Sequence, residues 1–282
     1  MRLDLLLVAR GLAPSRERAR ALIVAGEALV DGRAATKPGA LVSVAATVAL
    51  AGPAAELRYA SRGGLKLERA LDAFALSPAD RACVDVGAST GGFTDVLLRR
   101  GARRVYAVDV GRDQLVPTLR ADPRVVVMER VNIRRLSALP EVVDCAVIDV
   151  SFISLRLVLP PVAALLAPAG WVVALVKPQF EAGRAEASRG RGIISDPAAH
   201  RRILRELLAW LGAWPAEEAA RGGPPLAPLG LIASPISGRD GNHEYLLWLA
   251  PVAALAGQAP LAGGEAERAI ERVVAETLAD HT

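Results

Sequence analysis

Lysine is almost missing from this 282-residue chain. Lys37, Lys66 and Lys177 are the whole set, although lysine and arginine together number 34. A chain that writes its surface positive charge as arginine keeps lysine for another purpose. A lysine amine can lose its proton near neutral pH when its surroundings favour that, whereas a guanidinium effectively cannot. Cysteine is scarce too. Cys83 and Cys145 lie in the apolar runs ACVDV and DCAVIDV, a placement that excludes a disulfide framework or a metal site and points to buried thiols in a reducing, cytoplasmic compartment. A secretory leader is not expected, because Arg2, Asp4 and Arg10 interrupt the apolar stretch at the start.

An uninterrupted membrane span is also lacking. Residues 157–176, LVLPPVAALLAPAGWVVALV, are uncharged for the length of a bilayer crossing. Pro160, Pro161, Pro168 and Gly170 cut this run, which predicts a short buried helix followed by a central parallel strand. Excess charge of one sign is modest at +4, but it is unevenly placed. The first 58 residues carry eight basic side chains against five acidic ones, so +3 of the total sits in the first fifth. That asymmetry fits a polyanion partner or an ordinary solvated basic face equally well.

What is present is 52% hydrophobic composition, enough for one sizeable core and a small satellite domain. In SRERARALIVAGEALVDGRAATKP, Ser15 is placed to cap a helix whose Ala19, Leu22 and Ile23 share one face, and Gly26 to end it. EALVDG then reads as a short strand and an Asp-Gly turn, and LVSVAATVAL as a further strand. Arg2 to Asp4, SRERA, Ala25-Gly26 and LVDGRAATKP together resemble the small α+β RNA-binding domain of a ribosomal small-subunit protein, many pseudouridine synthases and tyrosyl-tRNA synthetases. The resemblance implies RNA contacts from Arg2, Arg16, Arg18, Arg20 and Lys37. A boundary is expected at the Gly/Pro-bearing residues 52–60, giving an RNA-binding domain over 1–58 and a second domain over 59–282.

From residue 82 the runs ACVDV, RVYAVDV, VVVME, DCAVIDV and WVVALV alternate with helical stretches, and LGLIAS and YLLWLA follow close together. This predicts an α/β fold whose sheet is mostly parallel with an antiparallel pair at its end, and a C-terminal helix over residues 265–279. Spacing does not give the strand order. DVGASTGGFTDVLL is a strand, a glycine turn and a helix start, followed about twenty residues later by Asp109 at a strand end, where a carboxylate can grip ribose hydroxyls. The turn lacks the Gly-Lys-Ser/Thr ending of a phosphate loop and the GxGxxG spacing of dinucleotide folds. With Asp85 before it and Asp109 after it, it is similar to the first motif of S-adenosylmethionine-dependent methyltransferases, which have a Rossmann-like sheet. That resemblance implies cofactor contacts from Asp85, Gly87, Ala88, Ser89, Thr90, Gly91, Gly92, Asp109 and Asp149, with Glu129 or Asn132 facing the adenine. Asn132 is equally readable as a local turn cap.

Asp149, Lys177 and Glu244 lie at strand ends in VIDVSFISL, LVKPQFEAG and GNHEYL, so they can converge on one crevice although distant in sequence. GLKLERAL, DVGASTGGFTD, YAVDVG, ERVNIR, DVSFISL, LVKPQFEAG and GNHEYL, in that order, resemble the TlyA family of ribosomal RNA ribose methyltransferases, long labelled haemolysin-like. Its catalytic domain is similar to FtsJ-type ribose methyltransferases, whose Lys-Asp-Lys-Glu tetrad falls here on Lys66, Asp149, Lys177 and Glu244. The resemblance implies transfer from S-adenosylmethionine to a ribose 2′-hydroxyl, at cytidine, in 16S or 23S ribosomal RNA or their subunits, without a metal or stable membrane association. Lys177 is then expected to take the hydroxyl proton, helped by desolvation and the charge of Lys66 and opposed by Asp149 and Glu244. Residues 181–192, EAGRAEASRGRG, read as a loop able to order on RNA or as a plain connection. Two rival readings remain: a membrane-active cytolysin, which the interrupted apolar run opposes, and a cofactor-less RNA-binding protein, which the intact tetrad opposes.

Overall fold

The N-terminal module opens with a helix that its own charges concealed. Helix α1 (Leu3–Ala9) begins directly after Arg2, and Asp4 in its first turn is fully buried. The Asp4 carboxylate accepts from the Leu5 amide and from the Arg2 and Arg16 side chains, so a charge that reads as an interruption instead satisfies a helix start. Arg2's hydrogen bonds hold the Asp4 carboxyl down at about 2, against the opposing effect of burial and with further help from Arg16. Helix α2 (Arg16–Val24), β1 (Ala28–Val30), β2 (Arg33–Ala35) and β3 (Val48–Leu50) complete the module. The three strands pair antiparallel in the order β2-β1-β3. Asp31 and Gly32, both at positive φ, form the two-residue turn between β1 and β2, as an Asp-Gly pair between short strands demands. Leu3, Leu7, Ala19, Leu22, Ile23 and Ala28 make its core. The computed structural model describes residues 1–13, 15–24, 26–50, 58–183, 192–214, 223–238, 241–255 and 257–278, and for Glu17 and Arg18 the backbone alone. Most of the expected domain boundary, Ala25, the Arg18 side chain, residues 184–191 of the polar loop and residue 279 lie outside the described residues.

The body begins with α3 (Gly63–Ala73) and continues as β4 (Ala82–Val86), α4 (Gly92–Arg99), β5 (Arg104–Asp109), α5 (Pro117–Arg120) and β6 (Val125–Glu129). It then runs through β7 (Val143–Ile148), α6 (Leu159–Leu165), β8 (Leu166–Val176), α7 (Pro178–Glu181), α8 (Pro197–Ala213), β9 (Leu226–Ala233), β10 (Tyr245–Pro251) and α9 (Gly263–Leu278). The seven apolar runs are the seven strands of one sheet, ordered β6-β5-β4-β7-β8-β10-β9. β10 runs antiparallel to both β8 and β9, filling the slot left when the chain crosses to the sheet edge. All five residues of β4 are buried: Val84 and Val86 pack on one face and Cys83 on the other. This two-sided burial is why the central strands read as continuous apolar runs. Cys83 and Cys145 are register partners, both free and fully buried.

The chain leaves β4 toward β5 and β6, then returns to place β7 on the other side of β4. That reversal opens a crevice beyond the C-terminal ends of β4 and β7. The uncharged run 157–176 resolves into α6 followed by β8. No helix among the described residues is long and apolar enough to cross a membrane.

Candidate active site

Residues 87–92 carry the chain from β4 into α4. Gly87 and Gly91 hold φ of +87° and +98°, which a side chain would resist. A Cβ at Gly87 would strike the backbone carbonyl of Asp149, and one at Gly91 would strike Leu115 and Leu119. Gly87 therefore lets the turn lie against the chain that follows β7, which brings Asp149 beside it, and Gly91 lets it close on the segment after β5. Asp109, at the end of β5, accepts from the Ser89 amide (2.8 Å) through one oxygen and from the Gly111 amide (2.6 Å) through the other.

Lys66 comes from α3, Asp149 directly follows β7, Lys177 directly follows β8 and Glu244 directly precedes β10. Their side chains meet. Lys66 Nζ donates to Glu244 Oε2 at 2.5 Å, and Lys177 Nζ lies 2.6 Å from Asp149 Oδ1. Lys177 also donates to Ser151 Oγ at 3.1 Å. Burial, which disfavours the Lys66 charge, is outweighed by the Glu244 and Asp149 carboxylates, so its ammonium is held above the ordinary lysine range. Burial likewise opposes the charge on Asp149, but Lys177 and Lys66 outweigh it and hold the carboxyl below its usual range. Acidic and basic side chains therefore alternate from Glu244 through Lys66 and Asp149 to Lys177, and Lys66 is held as a cation rather than a proton acceptor.

A cleft of about 690 Å³ is lined by all four of these residues together with Gly87, Ala88, Ser89, Thr90, Gly92, Asp109 and Asn132. Three residues expected there are placed elsewhere. Asp85 is buried beneath the turn, where one oxygen accepts from Thr94 Oγ1 at 2.6 Å and the other has no partner among the described residues. Gly91 packs on Leu115 and Leu119, away from the cleft wall. Glu129 pairs with Arg120 and accepts from the backbone of Gln114, a residue that does line the cleft. Asn132 Oδ1 accepts from the Arg134 amide at 3.0 Å, so the turn-cap reading holds for that atom, and the residue remains exposed on the cleft rim.

Several lining residues carried no assigned role in the sequence. Ser151 touches Lys177, and Arg62 forms an ion pair with Glu27 of the N-terminal module, both facing the cleft. Burial pushes the Glu27 carboxyl up, with Arg62 and Lys66 only partly offsetting it. Phe152, 91% exposed, packs against Phe180 with the rings tilted 48° and 5.0 Å between centroids. The chain has only four phenylalanines, and Phe93, Phe152 and Phe180 all line this cleft; that scarcity was the available signal. On the module, Arg2 and Arg16 share Asp4, while Arg20 and Lys37 are exposed.

Asp85 supplies a test of the buried electrostatics. Burial, with the Asp149 charge adding to it and the Thr94 bond opposing, pushes its carboxyl up to about 7. Unfolded, it would titrate near 3.9, so the folded chain binds more protons between those values and stability falls as pH rises across that window. Asp85→Asn should remove this fall. Its advantage over the parent in urea unfolding is expected to grow from near zero at about pH 4 to a few kcal/mol above about pH 7, and a difference independent of pH would contradict the assignment.

Comparison with known proteins gives a consistent picture. Residues 59–250 match the FtsJ-like methyltransferase family and residues 1–48 match the S4 domain. A Bacillus subtilis (strain 168) protein named as an rRNA methyltransferase is 47% identical over 254 residues, covering 88% of this chain and 85% of its own. The 16S/23S rRNA (cytidine-2′-O)-methyltransferase TlyA of Mycobacterium tuberculosis is 46% identical over 252 residues, covering 88% and 89%. A solved structure from Streptococcus thermophilus, named as a haemolysin, is 41% identical with a TM-score of 0.70, covering 98% of this chain and 95% of that one.

Proposed function

The chain belongs to the FtsJ-like methyltransferase family, and on that premise we propose that it methylates a ribose 2′-hydroxyl, at a cytidine, of 16S or 23S ribosomal RNA. One observation carries the reading: two amines and two carboxylates from four distant segments alternate in a single cleft beside a glycine turn and a strand-end carboxylate. Buried ion pairs add little net stability, so a pair kept at a cleft is better explained by chemistry.

The residues fit S-adenosylmethionine. The cleft falls within the roughly 300–1,000 Å³ typical of small-molecule sites. Each Asp109 oxygen takes one backbone amide, and a carboxylate has lone pairs to spare for a ribose diol. In this reading the Gly87–Thr90 turn, Gly92, Asp109, Asn132 and Asp149 hold the cofactor, while Asp85, Gly91 and Glu129 support that wall from behind. When bound, S-adenosylmethionine supplies a methyl group already activated by a positively charged sulfur.

The chain's own task is to ready a weak nucleophile. Lys177 acts as a neutral amine, having first released its own proton to solvent, and takes the 2′-hydroxyl proton; Asp149 aims that amine, and Lys66 with Glu244 holds the ribose. General-base help of this kind contributes about 10²–10⁴ in rate. Phe152, exposed, and Phe180, half-buried beside Lys177, suit the face of an unstacked base. Arg2, Arg16, Arg18, Arg20 and Lys37 contact phosphates, which orient RNA without naming its sequence. Ribosomal RNA as substrate sets this work in the cytoplasm.

Purified protein given methyl-tritiated S-adenosylmethionine and ribosomal RNA is expected to place label in 2′-O-methylcytidine. A 2′-deoxy nucleotide at the target should receive none. Label on a base, or no calorimetric binding of S-adenosylmethionine, would remove this reading.

A further inference from the structure

Glu181 takes no part in the chemistry above, yet it joins the two turns that carry it. It ends α7, four residues after Lys177. Its Oε2 accepts from Ser154 Oγ at 2.6 Å and its Oε1 from the Leu155 amide at 2.7 Å. Ser154 and Leu155 close the segment that begins with Asp149, Ser151 and Phe152. β7 and β8 pair in parallel only as far as Ile148 and Ala174. Beyond that point, among the described residues, no backbone hydrogen bond crosses between 149–155 and 177–182. The sheet fixes where each turn starts, since Asp149 N donates to Val86 O and β8 stays paired to β10 as far as Val176, but what joins the two turns to each other is side-chain bonding.

Those side chains have something to hold. Phe152 sits at φ +63°, a backbone state that costs a bulky residue about 1–3 kcal/mol and persists only when its surroundings enforce it. Its ring leans on Phe180, next to Glu181. Glu181 is half-buried, which pushes its carboxyl up, and its bonds to Ser154 and Leu155 and the nearby Arg156 counter that.

We propose that Glu181 is a positioning residue, clamping the turn after Asp149 to the turn after Lys177 so that the amine stays aimed along the Asp149 carboxylate. The role in methyl transfer rests on the functional reading above; the clamp itself is a claim about two turns.

The experiment compares Glu181→Ala, Glu181→Gln and Ser154→Ala in the full chain, by steady-state methyl transfer and by NMR of protein labelled at the lysine ε-carbon. With three lysines in the sequence, only three signals arise. Glu181→Ala is expected to lower kcat by about tenfold to a hundredfold, the loss that a misplacement of about 1 Å produces. The KM for RNA and the Kd for S-adenosylmethionine should stay within about threefold, the pattern of an interaction needed in the transition state rather than for binding. Glu181→Gln should recover most of kcat, because its amide oxygen can accept from Leu155 while the Ser154 hydroxyl turns to accept from the amide nitrogen. Ser154→Ala, which keeps one of the two bonds, should fall between. The Lys177 signal should move in Glu181→Ala while those of Lys37 and Lys66 stay. An unmoved Lys177 signal, or equal impairment of the Ala and Gln variants, would overturn the clamp. Failure of the parent protein to methylate RNA would sink the functional reading alone, since the lysine signals judge the clamp by themselves.

Discussion

Lys177→Ala is expected to lower methyl transfer by about 10²–10⁴, the full contribution of a general base, while S-adenosylmethionine binds within about threefold of the parent. The separation of effects follows from position. Lys177 Nζ touches Ser151 and Asp149, and of the groups assigned to the cofactor it shares Asp149, whereas Ser89 and Asp109 bond to one another apart from it. The informative companion is Lys177→Arg. It restores a positive charge beside Asp149 but cannot give up its proton at working pH. Arginine is therefore expected to be about as inactive as alanine. If it recovered most of the rate, the positive charge and not the proton transfer would be what this position supplies. Lys66 does not compete for the role, because Glu244 and Asp149 overcome its burial and keep it charged.

Lys66→Met is expected to cost about 3–5 kcal/mol of stability, because it leaves a buried carboxylate without its partner. The Glu244 side chain is 3% exposed and that of Lys66 is 9%, so water cannot take the place of the lost ammonium. Lys66→Met combined with Glu244→Leu should regain most of that loss, since an apolar pair of similar size commonly replaces a buried ion pair at no net cost. Activity should not return with stability. In urea unfolding and methyl-transfer assays, a double variant that regained both would show the pair to be structural. The pH dependence has a definite sign. With the folded Lys66 value raised, the pair's contribution is fully present below the unfolded lysine value of about 10.4 and disappears only as pH climbs through the folded value. The Asp149 contribution runs the other way. Its carboxyl is lowered in the fold, so that contribution is present above the unfolded value of about 3.9 and is lost as pH falls through the folded one.

The strands were legible because a parallel sheet buried on both faces writes each of its members as an unbroken apolar run. Their order was not, since a crossover leaves no mark in spacing. β8 begins at Leu166, earlier than WVVALV implies, because Pro168 and Gly170 read as a break. The register with β7 shifts there, from Val143 opposite Leu166 to Cys145 opposite Trp171, and β8 continues through. Helix α1 was hidden by Arg2 and Asp4, whose charges are satisfied by each other and by Arg16. β2, three residues that include Arg33, is too short to show a period.

At the site, the scarcity of lysine singled out two residues that the fold buries, Lys66 and Lys177, while Lys37 is exposed. Strand-end positions and motif resemblance pointed to four side chains that the fold does bring into one cleft. Contacts between loops stayed illegible. The Glu181 bonds to Ser154 and Leu155 span 27 and 26 residues, and nothing in either segment names the other. Asp85 shows the converse limit. Its place before a glycine turn suggested a cofactor ligand, whereas its side chain turns under the loop to Thr94.

The most direct measurement is mass-spectrometric mapping of ribose methylation in ribosomal RNA from cells that carry the parent protein, the Lys177→Ala variant, or neither. The expected result is a 2′-O-methylcytidine present with the parent and missing from the other two. The same modification in all three, or its survival in the Lys177→Ala cells alone, would contradict the claim that this cleft activates a ribose hydroxyl through that amine.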